Sequence, residues 1–271
     1  MSKIVFENIY PFDLEQTLDC GQCFRWTKND DGSFTSVVRG KVATAYYKDN
    51  TLTVIQDGDA DESLWRRYFD LDLDYAQIKQ RLSQMHPVLK EASTYAGGIR
   101  ILNQEPFEAL ITFIISQNNN ISRIKGIVSR LCENFGEKIS DSHYAFPTPQ
   151  ALSKLSADDL APIRAGFRNR YIIDAAQRVS RGEIDLEKLR NMNYADAQKE
   201  LMKITGVGVK VADCVLLYGL HRLESFPLDV WMKRAMSVLF DNMSGNEFGE
   251  YGGIAQQYIF HYSRMHKELF D

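Results

Sequence analysis

The apolar periodicity of this chain changes once, near residue 60, and does not change back. Through residues 3 to 56 the apolar positions fall in short β-branched or aromatic runs. SFTSVVRG, KVATAYYK and TLTVIQ are separated by Gly, Asp and Asn turns and read as strands. From Asp61 onward apolar residues recur at three- and four-residue spacing. LWRRYF, YAQIKQRL, PFEALITFIIS, ISRIKGIVSRLCENF, ALSKLS, YIIDAAQRVSRG and YADAQKELMKI all carry this helical signature. Strands first and helices after predict an α+β fold with segregated parts, not a wound α/β sheet. The boundary is expected near Asn103–Glu105, ahead of a long helix at Pro106–Ser116. It divides the chain into a β-rich part, 1–104, and a helical part, 105–271. Helices between 61 and 100 are expected to pack between the sheet and the helical body.

Composition limits the functions open to such a fold. No apolar run is long enough to span a bilayer. The start, MSKIVFENIY, lacks the charged-then-apolar layout of a signal peptide. Four cysteines, at 20, 23, 132 and 214, fit a reducing compartment. Cys20 and Cys23 form a C-x-x-C, but no second pair or nearby histidine completes a zinc site. No metal or cofactor is expected. A net charge of −4 argues against indiscriminate nucleic-acid binding and leaves room for a local basic face. Arg164, Arg168, Arg170, Arg178 and Arg181 cluster with only Asp174 against them. A solvated helix face is the commoner meaning of such a cluster.

Lys210 and Asp229 are the strongest candidates for chemistry. Lys210 lies in KITGVGVKVADCV at 203–215, which reads as helix, tight Gly206-Val207-Gly208 hairpin, helix. The first turn of a helix has backbone N–H groups without partners, so this hairpin is suited to an anion. A reactive amine is thereby tied to a phosphate-sized site. Asp229 follows in FPLDVWM at 226–232. Taken singly, the hairpin is equally a plain turn, the lysine a solvated one, and Asp229 an N-cap worth about 1 kcal/mol.

Three further segments have two readings each. IISQNNNISRI at 114–124 is a polar turn with an Asn cap, yet three adjacent amides exceed what a cap needs, and amides suit base edges. Arg123 follows one helical turn after Asn119. GFRNRYI at 166–172 sets Phe167 and Arg168 at a basic helix start. Phe167 fits a core position or a wedge in a base stack. In AQQYIFHY at 255–262, Gln256 and Phe260 share a helix face. They fit a surface and core pair, or a pocket in which an aromatic stacks on a flipped base and a glutamine reads its edge.

Together these segments resemble the 8-oxoguanine DNA glycosylases of the helix-hairpin-helix superfamily, over most of the chain. DCGQCFRW at 19–26 looks like the family's N-terminal signature, QNNNISRI like its asparagine loop, and ITGVGVKVADCV followed by FPLDV like its hairpin and acid. The resemblance implies an antiparallel β-domain fused to two helical bundles flanking a cleft. It implies a bifunctional glycosylase/AP lyase acting on double-stranded DNA that contains 8-oxoguanine, as a monomer, without a membrane. Lys210 resembles the nucleophile and Asp229 the essential carboxylate. Gly21 looks like the glycine whose carbonyl receives the N7–H of the damaged base. Gln256 matches the reader of its Watson–Crick edge, and Phe260 and Cys214 the two faces that sandwich it. Asn118, Arg123 and Arg168 resemble the residues that hold the orphaned cytosine, with Phe167 as the wedge. Gly206 and Gly208 belong to the backbone-gripping hairpin, whose turn carbonyls the resemblance implies as a place for a cation. Phe167 stands where eukaryotic members have tyrosine, and Trp231 where they have histidine. Both imply a bacterial-type member, hence a prokaryotic, cytoplasmic and nucleoid-associated enzyme.

The chemistry is coherent without the name. Oxidation at C8 turns guanine N7 from acceptor to donor, so a backbone carbonyl accepts from the lesion and repels the normal base. A neutral lysine attacking sugar C1′ expels the base and leaves a Schiff base, which loses the 3′ phosphate by β-elimination. An alkylation-damage glycosylase lacks the lysine. An endonuclease III-type enzyme needs clustered cysteines for its iron–sulfur centre. A DNA-binding module without activity needs neither Asp229 nor a Gln256–Phe260 pocket.

Overall fold

The computed structural model describes residues 1–270. Strands β1 (Ser2–Phe6), β2 (Thr27–Lys28), β3 (Phe34–Val38), β4 (Lys41–Lys48) and β5 (Thr51–Gln56) form one sheet. Its order is β1-β5-β4-β3-β2, with every pair antiparallel. Arg39-Gly40 and Asp49-Asn50 turn the two tight hairpins with positive φ at both positions, the geometry that matches strand twist. Phe34, Ala45, Val54 and Ile4 are register partners in a row across four strands, and all are buried. Because side chains alternate along a strand, this row defines the inner face. Helices α1 (Leu14–Leu18) and α2 (Glu62–Tyr68) belong to the same core, which closes around Trp26, Trp65 and Phe69.

A second core belongs to the helices. They are α3 (Tyr75–Ser83), α4 (Pro87–Tyr95), α5 (Pro106–Ser116), α6 (Ile121–Phe135), α7 (Pro149–Leu152), α8 (Asn169–Ser180), α9 (Leu186–Leu189), α10 (Tyr194–Leu201), α11 (Val209–Cys214), α12 (Val230–Leu239) and α13 (Gly252–Met265). Helix α5 is its axis. Every residue from Ala109 to Ile115 is buried, as a helix apolar all round must be. α6, α8 and α11 pack about it, and α4 packs on α13. The helices expected between the sheet and the body therefore divide. α2 joins the sheet, while α3 and α4 join the helical core.

Strand does not run through 3–56. Residues 7–26 form α1 and an irregular segment whose polar backbone is satisfied by side chains. Asp13 caps α1 by accepting from Gln16 N at 2.7 Å. Buried Gln22 donates to Thr17 O and Arg100 O, each at 2.8 Å, and accepts from Leu102 N at 2.9 Å. Gln104 in turn donates to Gln22 O at 2.7 Å. Arg25 pairs with Glu108 of α5 at 3.2 Å and donates to Val37 O, so the strand side and the helical axis are tied directly. Among the described residues, no helix is long and apolar enough to cross a membrane.

Candidate active site

The hairpin between α10 and α11 is built around a forced glycine. Gly206 has φ +80°, and a Cβ there would stand 2.4 Å from the Tyr171 ring. Asp174 of α8 braces the next-door residue, accepting from Thr205 N at 2.7 Å. Gly208 caps α11 without a side chain, so no side-chain acceptor meets the first-turn amides. Lys210 lies in that turn, half-buried. Its Nζ donates to Ser116 Oγ at 3.3 Å and sits 5.4 Å from the Phe113 ring centre. It makes no ion pair among the described residues. α11 runs on into a π-helical turn at Val215–Gly219.

Asp229 caps α12, accepting from Met232 N at 2.7 Å. The capping function is therefore real, and it leaves the second carboxylate oxygen without a bond among those found. Cys214 reports on both candidates. Burial pushes its thiol up to about 11; Lys210 pulls it down, while Asp213 and Asp229 push it up. The amine and the carboxylate thus both lie within electrostatic reach of one buried thiol. Burial raises the Tyr218 hydroxyl well above its usual value, with Cys214, Cys20 and Asp229 pushing the same way, so the 20–23 loop lies within electrostatic reach of the same group.

That loop meets α13 at Gly21. With φ +96°, Gly21 lies so close that a Cβ would be 3.2 Å from Ile121 Cδ1 and 3.8 Å from Phe260 Cε1. Phe260 is half-buried, with Arg264 over its ring at 5.4 Å. Gln256, one turn earlier, is 4% exposed and donates to Pro227 O at 3.3 Å, two residues before Asp229. Neither is a surface side chain. Trp231 donates to Ser263 Oγ of α13 at 2.9 Å. Cys20 and Cys23 are buried and free, and burial raises the Cys20 thiol to about 12, outside ordinary redox reactivity.

The three asparagines have separate jobs. Asn119 closes α5 by donating to Ile115 O at 3.1 Å, and Asn120 caps α6 by accepting from Arg123 N at 2.9 Å. Asn118 is exposed at φ +46°, and its side chain makes no hydrogen bond among the described residues. The Arg123 side chain is exposed beside it. Phe167 is 51% exposed, so it is not a core residue.

Arg168 departs from the expected placement. It is 3% exposed. Its guanidinium donates to Gln117 O, to Asn118 O at 3.0 Å and to Ala165 O at 3.0 Å, under the Phe167 ring at 4.4 Å. In this arrangement it fastens the asparagine loop. The basic cluster is also less free than its sequence suggests. Arg178 pairs with Asp174 and Glu183, and Arg181 with Glu183. Arg164 and Arg170 remain exposed, with Arg123.

Four contributors were missed from sequence. Ser116 and Phe113 hold Lys210, Ile121 backs Gly21, and Tyr218 adjoins Gln256. Only Tyr218 had a usable signal, since it continues the Lys210, Cys214 spacing by another four residues.

Residues 4–110 match the family model described as 8-oxoguanine DNA glycosylase, N-terminal domain, and residues 111–246 match that of the HhH-GPD superfamily base excision DNA repair proteins. The structure is similar to MBOgg1, solved with a low-affinity DNA ligand, at 42% identity and a TM-score of 0.92, covering 97% of this chain and 96% of that one. It is also similar to the Clostridium acetobutylicum 8-oxoguanine glycosylase/lyase, solved with double-stranded DNA containing cytosine opposite 8-oxoG. There the identity is 35% and the TM-score 0.90, over 98% of this chain and 96% of that one. The N-glycosylase/DNA lyase of Saccharomyces cerevisiae is 40% identical over 152 residues, which span 51% of this chain and 40% of the longer yeast protein. The antiparallel sheet, the hairpin and these likenesses over nearly the whole chain lead to one conclusion: the protein belongs to the 8-oxoguanine DNA glycosylase/lyase family of the HhH-GPD base excision repair superfamily.

Proposed function

We propose that this enzyme extrudes 8-oxoguanine from duplex DNA, releases it by attack of Lys210 on sugar C1′, and cleaves the strand by β-elimination through the resulting Schiff base. The observation that carries this reading is the setting of Lys210. A half-buried amine without an ion-pair partner stands at the hairpin helix, between Ser116, Phe113 and the Cys214 thiol. The bond from Lys210 Nζ to C1′ forms as the C1′–N9 bond breaks, and the base leaves with its electron pair. Asp229 stabilises the cationic sugar from the opposite helix cap.

Gly21, Gln256, Phe260 and Cys214 are assigned to the base pocket. Gly206 and Gly208 carry the hairpin that grips the backbone. Asn118 and Arg123 face the partner strand, with Phe167 as the wedge. Arg168 is assigned there through the loop it holds. A prokaryotic, nucleoid-associated place in the cytoplasm fits this role and the departures at Phe167 and Trp231. The test is borohydride reduction during reaction with a lesion-bearing duplex. Wild type should form a stable protein–DNA adduct, and Lys210→Gln should form none while still binding the lesion. Equal trapping in the variant would remove Lys210 from the mechanism.

A further inference from the structure

The Gln256 carboxamide is held in one orientation by two polar side chains that the proposed mechanism does not use. Gln257 Nε2 donates to Gln256 Oε1 at 3.0 Å and also to the Tyr218 hydroxyl. That hydroxyl, having accepted from Gln257, directs its hydrogen to the same Gln256 oxygen over a long 3.5 Å. Gln256 Nε2 donates to Pro227 O. The oxygen end thus meets donors and the nitrogen end meets an acceptor. A flipped amide would set NH₂ against donors and oxygen against a carbonyl. Buried Gln257 Oε1 has no hydrogen-bond partner among the described residues. Turning Gln257 to satisfy that oxygen would take its donors away from Gln256. Tyr218 is itself fixed, its ring stacked on Phe113 at 5.1 Å and 17°.

We propose that Tyr218 and Gln257 are positioning residues that fix the polarity of Gln256, and so select a purine with an acceptor at position 6 over one with a donor there. The inference rests on the assignment of Gln256 to the base edge. Both lone pairs of Gln256 Oε1 face neighbours, so what remains for a base is the second hydrogen of Nε2. A guanine-type O6 accepts that hydrogen, and an adenine-type N6 amine does not. Without the two donors only the Pro227 carbonyl orients the amide, and the turned form that presents its oxygen to N6 becomes more accessible.

The test compares wild type with Tyr218→Phe, which keeps the ring stack, and with the double variant Tyr218→Phe/Gln257→Leu. Single-turnover release of 8-oxoguanine and of 8-oxoadenine is measured from otherwise identical duplexes, beside strand cleavage at a preformed abasic site. The 8-oxoguanine to 8-oxoadenine ratio should fall by about tenfold in the double variant, the size of one mismatched base contact. Abasic-site cleavage should stay at the wild-type rate, because no base is read there. An unchanged ratio overturns the inference and leaves the glycosylase standing. Loss of abasic-site cleavage in step with excision marks a merely structural role and also overturns it. A wild type that releases neither base sinks the proposed function, and this inference with it.

Discussion

The Ser225 hydroxyl donates to the backbone carbonyl of Asp213 at 2.8 Å, and Tyr194 OH lies 2.9 Å from the same hydroxyl. Asp213 is on α11, which carries Lys210, and Ser225 opens the segment that ends in Asp229. The two proposed chemical groups are therefore registered to each other by one buried bond. Ser225→Ala should cost about 1 kcal/mol of stability, the usual net worth of such a bond. It should also slow single-turnover excision at saturating enzyme while lesion affinity holds. Denaturant titration and rapid-quench kinetics check this. A destabilised variant with an unchanged rate would show that the tie serves folding alone.

Asp229→Asn separates capping from chemistry. Asparagine caps about as well as aspartate, so stability should change by only a few tenths of a kcal/mol. Excision should nevertheless fall by orders of magnitude, because the amide carries no charge to set against the cationic sugar. Activity within a few-fold of wild type would reduce Asp229 to a cap.

Asp213 gives a pH signature. Burial pushes its carboxyl above the ordinary 3.8, against the pull of hydrogen bonds from Tyr194 and Gln198. The folded state holds this proton more tightly than the unfolded chain. The contribution favours folding below the unfolded value and is lost as pH rises through the folded one. Asp213→Asn keeps an acceptor oxygen and removes the titration. The stability of the variant relative to wild type should therefore improve as pH rises from about 4 towards neutrality. Urea melts across that range measure the difference, and a flat difference contradicts the assignment.

Arg123 and Arg168 should respond differently to truncation. Arg123→Ala should leave stability nearly unchanged and flatten the preference for cytosine opposite the lesion, since each good base contact discriminates by about 1–3 kcal/mol. Arg168→Ala strips the carbonyls of Gln117, Asn118 and Ala165 of their donor. It should lower stability and flatten the preference indirectly, through a disordered loop. Excision opposite each of the four bases, with thermal melts, distinguishes the two. A stable Arg168→Ala protein with altered preference would return Arg168 to direct base contact.

The order of strands and helices was legible because hydrophobic periodicity is a local property. The segment between β1 and β2 was not, because carbonyls of its backbone are satisfied by the side chains of Arg100 and Gln104, more than eighty residues away. Lys210 stood out because a lysine two residues after a Gly-x-Gly hairpin is an unusual local pattern. Asn118 was set apart from Asn119 and Asn120 by the family resemblance alone, since only backbone conformation decides which amide is left free. Arg168 read as a surface cation because nothing in its neighbourhood of sequence announces three converging carbonyls. Gln257 vanished into an apolar helix pattern, where a polar side chain looks like an interruption and not like a partner, whereas Tyr218 at least continued the four-residue spacing of Lys210 and Cys214.

Gln22 links Gly21 at the front of the chain to the carbonyls and amides of residues 100–104. In the proposed enzyme, one wall of the base pocket is thus supplied by the opposite end of the polypeptide from Gln256, Phe260 and the lysine hairpin. Under that reading the pocket exists only once the two ends of the chain have met: folding the lysine hairpin alone leaves the amine in place and the base without the Gly21 carbonyl.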